Sequence, residues 1–217
     1  MQATTAEEPA TFPPAAPPSV QSTNLAKRTD PGDVYIRRIT VAEYYRMGAA
    51  GIVGPDEPVE LLDGQLIAMP PGGPPHDYSV QRVTTYFYKH FAERAFIKVQ
   101  GALALDAWSE PEPDVMLSAL PVKQYALAHP TPGQVMLVVE VAVSSLRYDA
   151  GMKLRAYARR GICEYWIVDL AHERIDVYRE PKGERYAKHR RAGRGQSIAP
   201  LAFPDDTVAV DDILPPR

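Results

Sequence analysis

The sequence predicts an α/β fold, a buried central sheet covered by helices, and three stretches carry that prediction. Gln134–Val143 (QVMLVVEVAV) is an almost unbroken apolar run rich in β-branched residues, bounded by Pro132-Gly133 and Ser144-Ser145. That pattern is a strand buried on both faces. Val80, Val83, Thr84, Phe87 and Phe91 recur at helical spacing, which predicts a helix running to about Arg94. Asp63-Gly64 separates two short apolar runs, the dipeptide of a tight hairpin.

The remaining elements follow in order. Residues 1–33 are rich in Pro, Ala, Thr and Glu without apolar periodicity, and read as a disordered leader with polyproline character. A single domain, 34–217, starts near Val34. Thr40 and Glu43 have capping-box spacing, which starts a helix over about Val41–Ala50. Pro70–Pro75 is a rigid loop delivering His76-Asp77, with Asp77 as the N-cap of the long helix. Ile97–Asp106 alternates and is expected as one strand, and Pro111–Ser118 as the next, its prolines forbidding a helix. Residues 119–133 are a loop with a helical turn near Gln124–Ala128. After the central strand, Tyr148–Arg160 reads as a helix closed by Gly161. Strands follow at 164–169, 174–178 and 185–189, the last two as an edge meander, and a short apolar piece lies at 207–210.

Composition removes several function classes. The 217 residues hold one cysteine, Cys163, so an intramolecular disulfide and a cysteine-rich zinc site are both excluded. A net charge of −3 neither requires nor forbids a nucleic-acid partner. With no long apolar run and no signal-peptide pattern, the expectation is a cytoplasmic protein without a membrane span.

The chemistry-bearing residues are acidic. Glu140 sits inside the central strand, where an isolated carboxylate costs several kcal/mol unless a cation, a polar network or a site meets it. Asp114 opens the preceding strand directly after Pro113, and Glu60 lies near the start of the hairpin. Asp149, Lys153 and Tyr157 are spaced i, i+4, i+8 on one helical face. Two carboxylates about 4 Å apart repel by roughly 4 kcal/mol at an effective dielectric of about 20, so Glu60, Asp114 and Glu140 together would hold a proton or a cation. Oxygen ligands without cysteine favour Mg²⁺ or Mn²⁺.

The order Pro113-Asp114, then Glu140 on an apolar strand, then a lysine resembles the PD-(D/E)XK nuclease superfamily. The fuller series Glu60-Leu-Leu-Asp-Gly64, His76, Glu112-Pro-Asp-Val115, Val139–Ser144, Asp149, Lys153, Tyr157 and Gly161–Asp169 is similar to the Uma-type family of restriction endonucleases, over about residues 38–180. The resemblance implies a restriction-endonuclease-like fold, a mixed central sheet flanked by helices, with metal-bound carboxylates at one end. It also implies a Mg²⁺- or Mn²⁺-dependent endonuclease acting on DNA. Asp114, Glu140 and Lys153 would be catalytic, Glu60, Asp114 and Glu140 the metal ligands, and His76 and Tyr157 the substrate contacts. The superfamily places its lysine two residues after the glutamate, where this chain has Ala142, so Lys153 on the following helix takes its place. A homodimer is expected because cutting both strands of a duplex needs two sites.

Each residue also has a plainer reading. Asp114 could be a strand-start residue, Glu140 half of a buried Glu–Lys pair, Asp149 and Lys153 a surface ion pair, Glu60 a cross-strand charge, and His76 a cap. Tyr157 and Trp166 also fit as core aromatics. Lys182, Arg185, Lys188, Arg190, Arg191 and Arg194 are a solvated hairpin face or a DNA-backbone contact. On these terms the chain is a catalytically silent nucleic-acid-binding or assembly protein that keeps the nuclease fold. A metal-dependent hydrolase of another phosphate ester is the third alternative.

Overall fold

A computed structural model describes residues 25–27 and 35–217. The chain divides into two units, residues 1–37 and 38–217. In the first, β1 (Leu25–Lys27) pairs antiparallel with β2 (Tyr35–Arg37). The expected leader, 1–33, otherwise lies outside the described residues.

The second unit begins as its capping box dictates. Helix α1 spans Val41–Ala49, with Thr40 Oγ1 accepting from the Glu43 amide while the Glu43 carboxylate accepts from the Thr40 amide. β3 (Val59–Leu62) and β4 (Gln65–Ala68) form the hairpin around Asp63-Gly64. Both turn residues have positive φ, 49° and 75°, as a primed two-residue turn requires. A Cβ on Gly64 would come within 2.5 Å of the Arg38 Cβ, so only glycine fits.

Helix α2 spans Pro74–Phe91 and buries Val80, Val83, Phe87 and Phe91. It starts one turn earlier than the sequence reading placed it, with Gly73 rather than Asp77 at the N-cap. The physical reason is that Pro74 and Pro75 occupy the first turn, where a missing N–H costs nothing and a fixed φ helps. His76 therefore rides on the helix.

Among the described residues the main sheet has six strands in the order β10-β9-β8-β7-β6-β5. These are β5 (Phe96–Val99), β6 (Val115–Ser118), β7 (Val135–Ala142), β8 (Glu164–Asp169), β9 (Arg174–Lys182) and β10 (Arg185–Gly193). β7 and β8 run parallel and every other neighbouring pair antiparallel, so the sheet is mixed and the α/β expectation holds. The expected strand 97–106 stops at Val99. Gln100 takes φ +44° and Lys98 reaches back to the Ala102 carbonyl at 2.7 Å, which turns the chain out of the sheet.

α2 covers one face of this sheet, where Leu137, Val139, Val141, Trp166 and Val168 meet Phe87 and Phe91. The other face carries Met116, Val138, Ala142, Tyr165 and Ile167 against Ala156, Tyr157 and Ala158. That second cover comes from α3 (Leu146–Tyr148), a π-helical turn (Asp149–Lys153) and α4 (Leu154–Arg159), where the sequence predicted one regular helix from Tyr148. At the C-terminus β11 (Ser197–Ile198) pairs with β12 (Val208–Ala209), followed by α5 (Val210–Ile213). No helix among the described residues is long and apolar enough to cross a membrane.

Candidate active site

The site grows from a register. Val115 on β6 stands opposite Val139 on β7, so the same antiparallel pairing continued by one residue sets Asp114 opposite Glu140. Directly opposed residues share a sheet face, with Cβ atoms about 4.5–5.5 Å apart. The two acids named from separate parts of the sequence are therefore neighbours at this end of the sheet, Glu140 on the face covered by α3 and α4 and the Asp114 carboxylate turned to the Val141 amide and to His76 on α2. Pro113 has no N–H for the ladder, and β6 begins only after Asp114.

Glu140 is 3 % exposed. Its Oε1 accepts from Lys153 Nζ at 2.9 Å and from the Tyr157 hydroxyl at 2.9 Å. Lys153, fully buried, also meets Glu60 Oε1 at 3.2 Å. The Tyr148 hydroxyl donates to the same Glu60 oxygen at 2.7 Å, and the Glu112 amide donates to Glu60 Oε2 at 2.9 Å. One ammonium thus binds two glutamates. Ala142, two residues after Glu140, is buried in the apolar cluster on that face, and the amine comes instead from the helix packed over it.

The π turn makes this possible. A π turn takes in an extra residue, which re-phases the helix and is a recurring device at functional sites. Here it runs from Asp149 to Lys153, both buried. Ser145 donates to Asp149 Oδ2 at 2.6 Å and the Tyr165 hydroxyl donates to the Asp149 carbonyl at 3.2 Å. The sequence reading placed Asp149, Lys153 and Tyr157 on one face but missed the π turn and the part played by Tyr148. A glycine inside a predicted helix, Gly151, is the local signal for the irregularity.

Asp114 is held from two sides. Val141 N–H donates to its Oδ2 at 2.8 Å, and His76 Nε2 meets the same oxygen at 3.2 Å. His76 Nδ1 faces Asp77 Oδ1 at 3.2 Å. Gly72 lets the preceding loop close on this pair, since a Cβ there would come within 2.8 Å of His76 Nδ1.

Charge states follow from burial and these partners. Burial pushes the Glu140 carboxyl up; Lys153 opposes this, while Asp149, Asp114 and Glu60 add to it, leaving a pKa of about 8. Burial alone would discharge Lys153, but Glu140, Glu60 and Asp149 outweigh it and hold its pKa above the ordinary value. Burial raises Asp149 to about 6 against the pull of Lys153 and Ser145. The hydrogen bond to Asp114 lifts His76 to about 9, against burial. Lys153 and His76 are therefore the cations here at neutral pH, facing four acids: Glu60, Asp114, Glu140 and Asp149.

Among the described residues, no three His, Cys, Asp or Glu side chains form a ready-made metal cage. Mg²⁺ does not need one, because it keeps several waters and takes one or two carboxylates plus substrate phosphate oxygens. The opposed pair suits that demand. Protein donors bind Asp114 at Oδ2 and Glu140 at Oε1, and among the described residues none binds Asp114 Oδ1 or Glu140 Oε2. Glu60 differs, with donors on both oxygens.

The sequence-named residues thus separate. Glu140, Lys153, Glu60 and Tyr157 form one network, and Asp114 with His76 a second, linked to the first only through the β7 backbone at Val141. Tyr157, expected at the substrate, is fully buried with its hydroxyl on Glu140, so it steadies that carboxylate instead. Of the basic hairpin residues, Arg191 pairs with Asp176, Arg194 with Glu173 and Asp211, and Lys188 with Glu180.

A cleft of about 870 Å³ opens onto this network, lined by α1, the 53–60 and 69–73 segments, His76, Glu112, Asp114 and Ser144. With this geometry in view, the relationships of the chain take on meaning. The Uma2 family, described as "Putative restriction endonuclease", matches residues 41–211.

The chain belongs to the Uma2 family.

The match spans the elements that build the site, from α1 to α5. A solved structure described as a "putative nuclease belonging to DUF820", from Anabaena variabilis, superposes with a TM-score of 0.64 at 13 % identity. It covers 81 % of this chain and 97 % of that one, so this Uma2 member and that protein share a fold. No curated protein matches the chain.

Proposed function

We propose that this Uma2 chain is a divalent-metal-dependent endonuclease that hydrolyses DNA phosphodiester bonds, with Asp114 and Glu140 holding Mg²⁺ or Mn²⁺. The observation that supports the reading is that these two acids lie together at the β6–β7 end of the sheet, each with one oxygen that has no protein donor among the described residues. When bound, such an ion polarises a phosphoryl oxygen and makes a bound water more acidic. The chain's own residues prepare for it. Val141 N–H and His76 fix Asp114 through Oδ2, while Lys153 and Tyr157 fix Glu140 through Oε1. Lys153, kept protonated, cannot serve as a base; it opposes the rise that burial imposes on the Glu140 carboxyl and offsets negative charge building on phosphorus. In the hydrolysis a water oxygen bonds to phosphorus and one P–O ester bond breaks. The departing alkoxide takes up a proton, and the attacking water gives one to solvent.

The test is incubation of purified protein with plasmid DNA and Mg²⁺ or Mn²⁺, with Glu140→Ala alongside. Nicking or linearisation that needs the metal and disappears in the variant supports the reading; cleavage that survives the substitution overturns it. Ala142 at the usual lysine position favours the second reading, a silent member that binds nucleic acid. Calorimetry finding no divalent-ion binding, together with salt-sensitive DNA binding, would select it. The reading also includes a cytoplasmic setting and a homodimer joined along the β9–β10 edge, which would bring a second site to the other strand; sedimentation of the purified chain tests the dimer.

A further inference from the structure

Resting on the nuclease reading, we infer that the cleft beside Asp114 receives a single unstacked nucleotide, so that single-stranded DNA or a bulged base binds there more tightly than an intact duplex. The first observation is depth. The Asp114 side chain lines the cleft at 14 % exposure and Glu140, outside the lining, is 3 % exposed, so a scissile phosphate must enter the cleft to reach Asp114. At about 870 Å³ the cleft falls within the range of pockets that enclose a small molecule, about 300–1,000 Å³, with room for a nucleotide and none for a double helix.

The second observation is the wall. Tyr45, Val53, Pro55, Met69 and Pro70 line the same cleft as Asp114 and give it an apolar part. Tyr45 is 52 % exposed and its hydroxyl meets His129 Nε2 at 3.2 Å. A fixed, accessible aromatic ring beside a backbone-cleaving site is a stacking platform for a base, whichever base it is. The third observation is charge. Glu57, Glu60, Glu112 and Asp114 line the cleft, against His76 as the one basic side chain there among the described residues. Such a cleft does not gather phosphates, so affinity must come from the base, and the base can reach the wall only once unstacked.

The experiment is fluorescence anisotropy with the full chain in Ca²⁺ buffer, using one labelled sequence as a single strand, a perfect duplex and a duplex with a one-base bulge. The expected result is at least about tenfold tighter binding of the single strand and the bulge than of the duplex. A salt slope shallower than about −2, reflecting few phosphate contacts, should accompany it. Tyr45→Ala, on an exposed helix position, should lose about tenfold on the single strand and bulge and nothing on the duplex. Tyr45→Phe should keep the affinity. Preference for the perfect duplex, or Tyr45→Ala binding as wild type, overturns the inference and leaves the nuclease reading standing. No binding to any of the three overturns both.

Discussion

Replacing Lys153 with methionine keeps the stem of the side chain and removes its charge, which makes it the sharpest probe of the site. The ammonium lies 2.9 Å from Glu140 and 3.2 Å from Glu60, with no solvent access. At an effective dielectric of about 20, each contact corresponds to roughly 5–6 kcal/mol of attraction before desolvation. Most of that is offset by the cost of burying the charges. What remains when one partner of a buried pair is deleted is about 3–5 kcal/mol of destabilisation, because the other charge is left unmatched. The loss must depend on pH. Lys153 is what pulls Glu140 down, so in Lys153→Met the folded-state pKa of Glu140 rises beyond its present value of about 8. A carboxyl raised in the folded state contributes stability that is present below its unfolded value, near 4.5, and is lost as pH climbs through the folded value. Urea unfolding should therefore show a gap between wild type and variant that changes little below about pH 8 and widens above it, toward about 3–5 kcal/mol. Adding Glu140→Gln to Lys153→Met should restore part of the stability, with a coupling energy of about 1–3 kcal/mol. A loss below about 1 kcal/mol, or one that is flat with pH, would refute the claim that Lys153 carries the charge balance of this site.

Other outcomes follow from the same geometry. Asp114→Asn and Glu140→Gln should each lower metal-dependent cleavage at least about a hundredfold, since losing a ligand removes several kcal/mol of charge stabilisation; circular dichroism should show the fold intact, and near-wild-type rates would dismiss these residues as ligands. The His76 imidazole should titrate near pH 9 by NMR and return toward 6.5 in Asp114→Asn. Because its folded pKa is raised, its contribution to stability is complete below about pH 6.5 and fades as pH rises through 9, a decline that His76→Gln should lack. Tyr148→Phe removes a hydrogen bond to the buried carboxylate of Glu60 and should cost about 1.5–3 kcal/mol by thermal or urea unfolding; an unchanged midpoint would mean that Lys153 and the Glu112 amide suffice to hold Glu60. Gly64→Ala should cost about 1–3 kcal/mol, since the turn holds φ +75° and the new Cβ would strike Arg38.

Features written in short-range pattern are legible from the residues alone. The Thr40/Glu43 box, the Asp63-Gly64 turn, the apolar face of α2 and the strand Glu164–Asp169 all appear where the residues place them. The sequence also named the two acids, because a carboxylate inside an apolar strand and another behind a proline are anomalies that need a reason. Partners were another matter. Asp114 and Glu140 are 26 residues apart (140 − 114 = 26), and their opposition depends on a strand register that hydrophobic packing on both faces selects. The displacement of the amine from position 142 to Lys153 depends on the phase of a helix that only the π turn and its contacts with Tyr165 and Ser145 set. Glu60 had the right chemistry for a metal ligand, yet Tyr148, Lys153 and the Glu112 amide occupy both of its oxygens. Which oxygen meets which donor is decided by elements far apart in the chain packing at van der Waals distance, a constraint that no window of neighbouring residues contains.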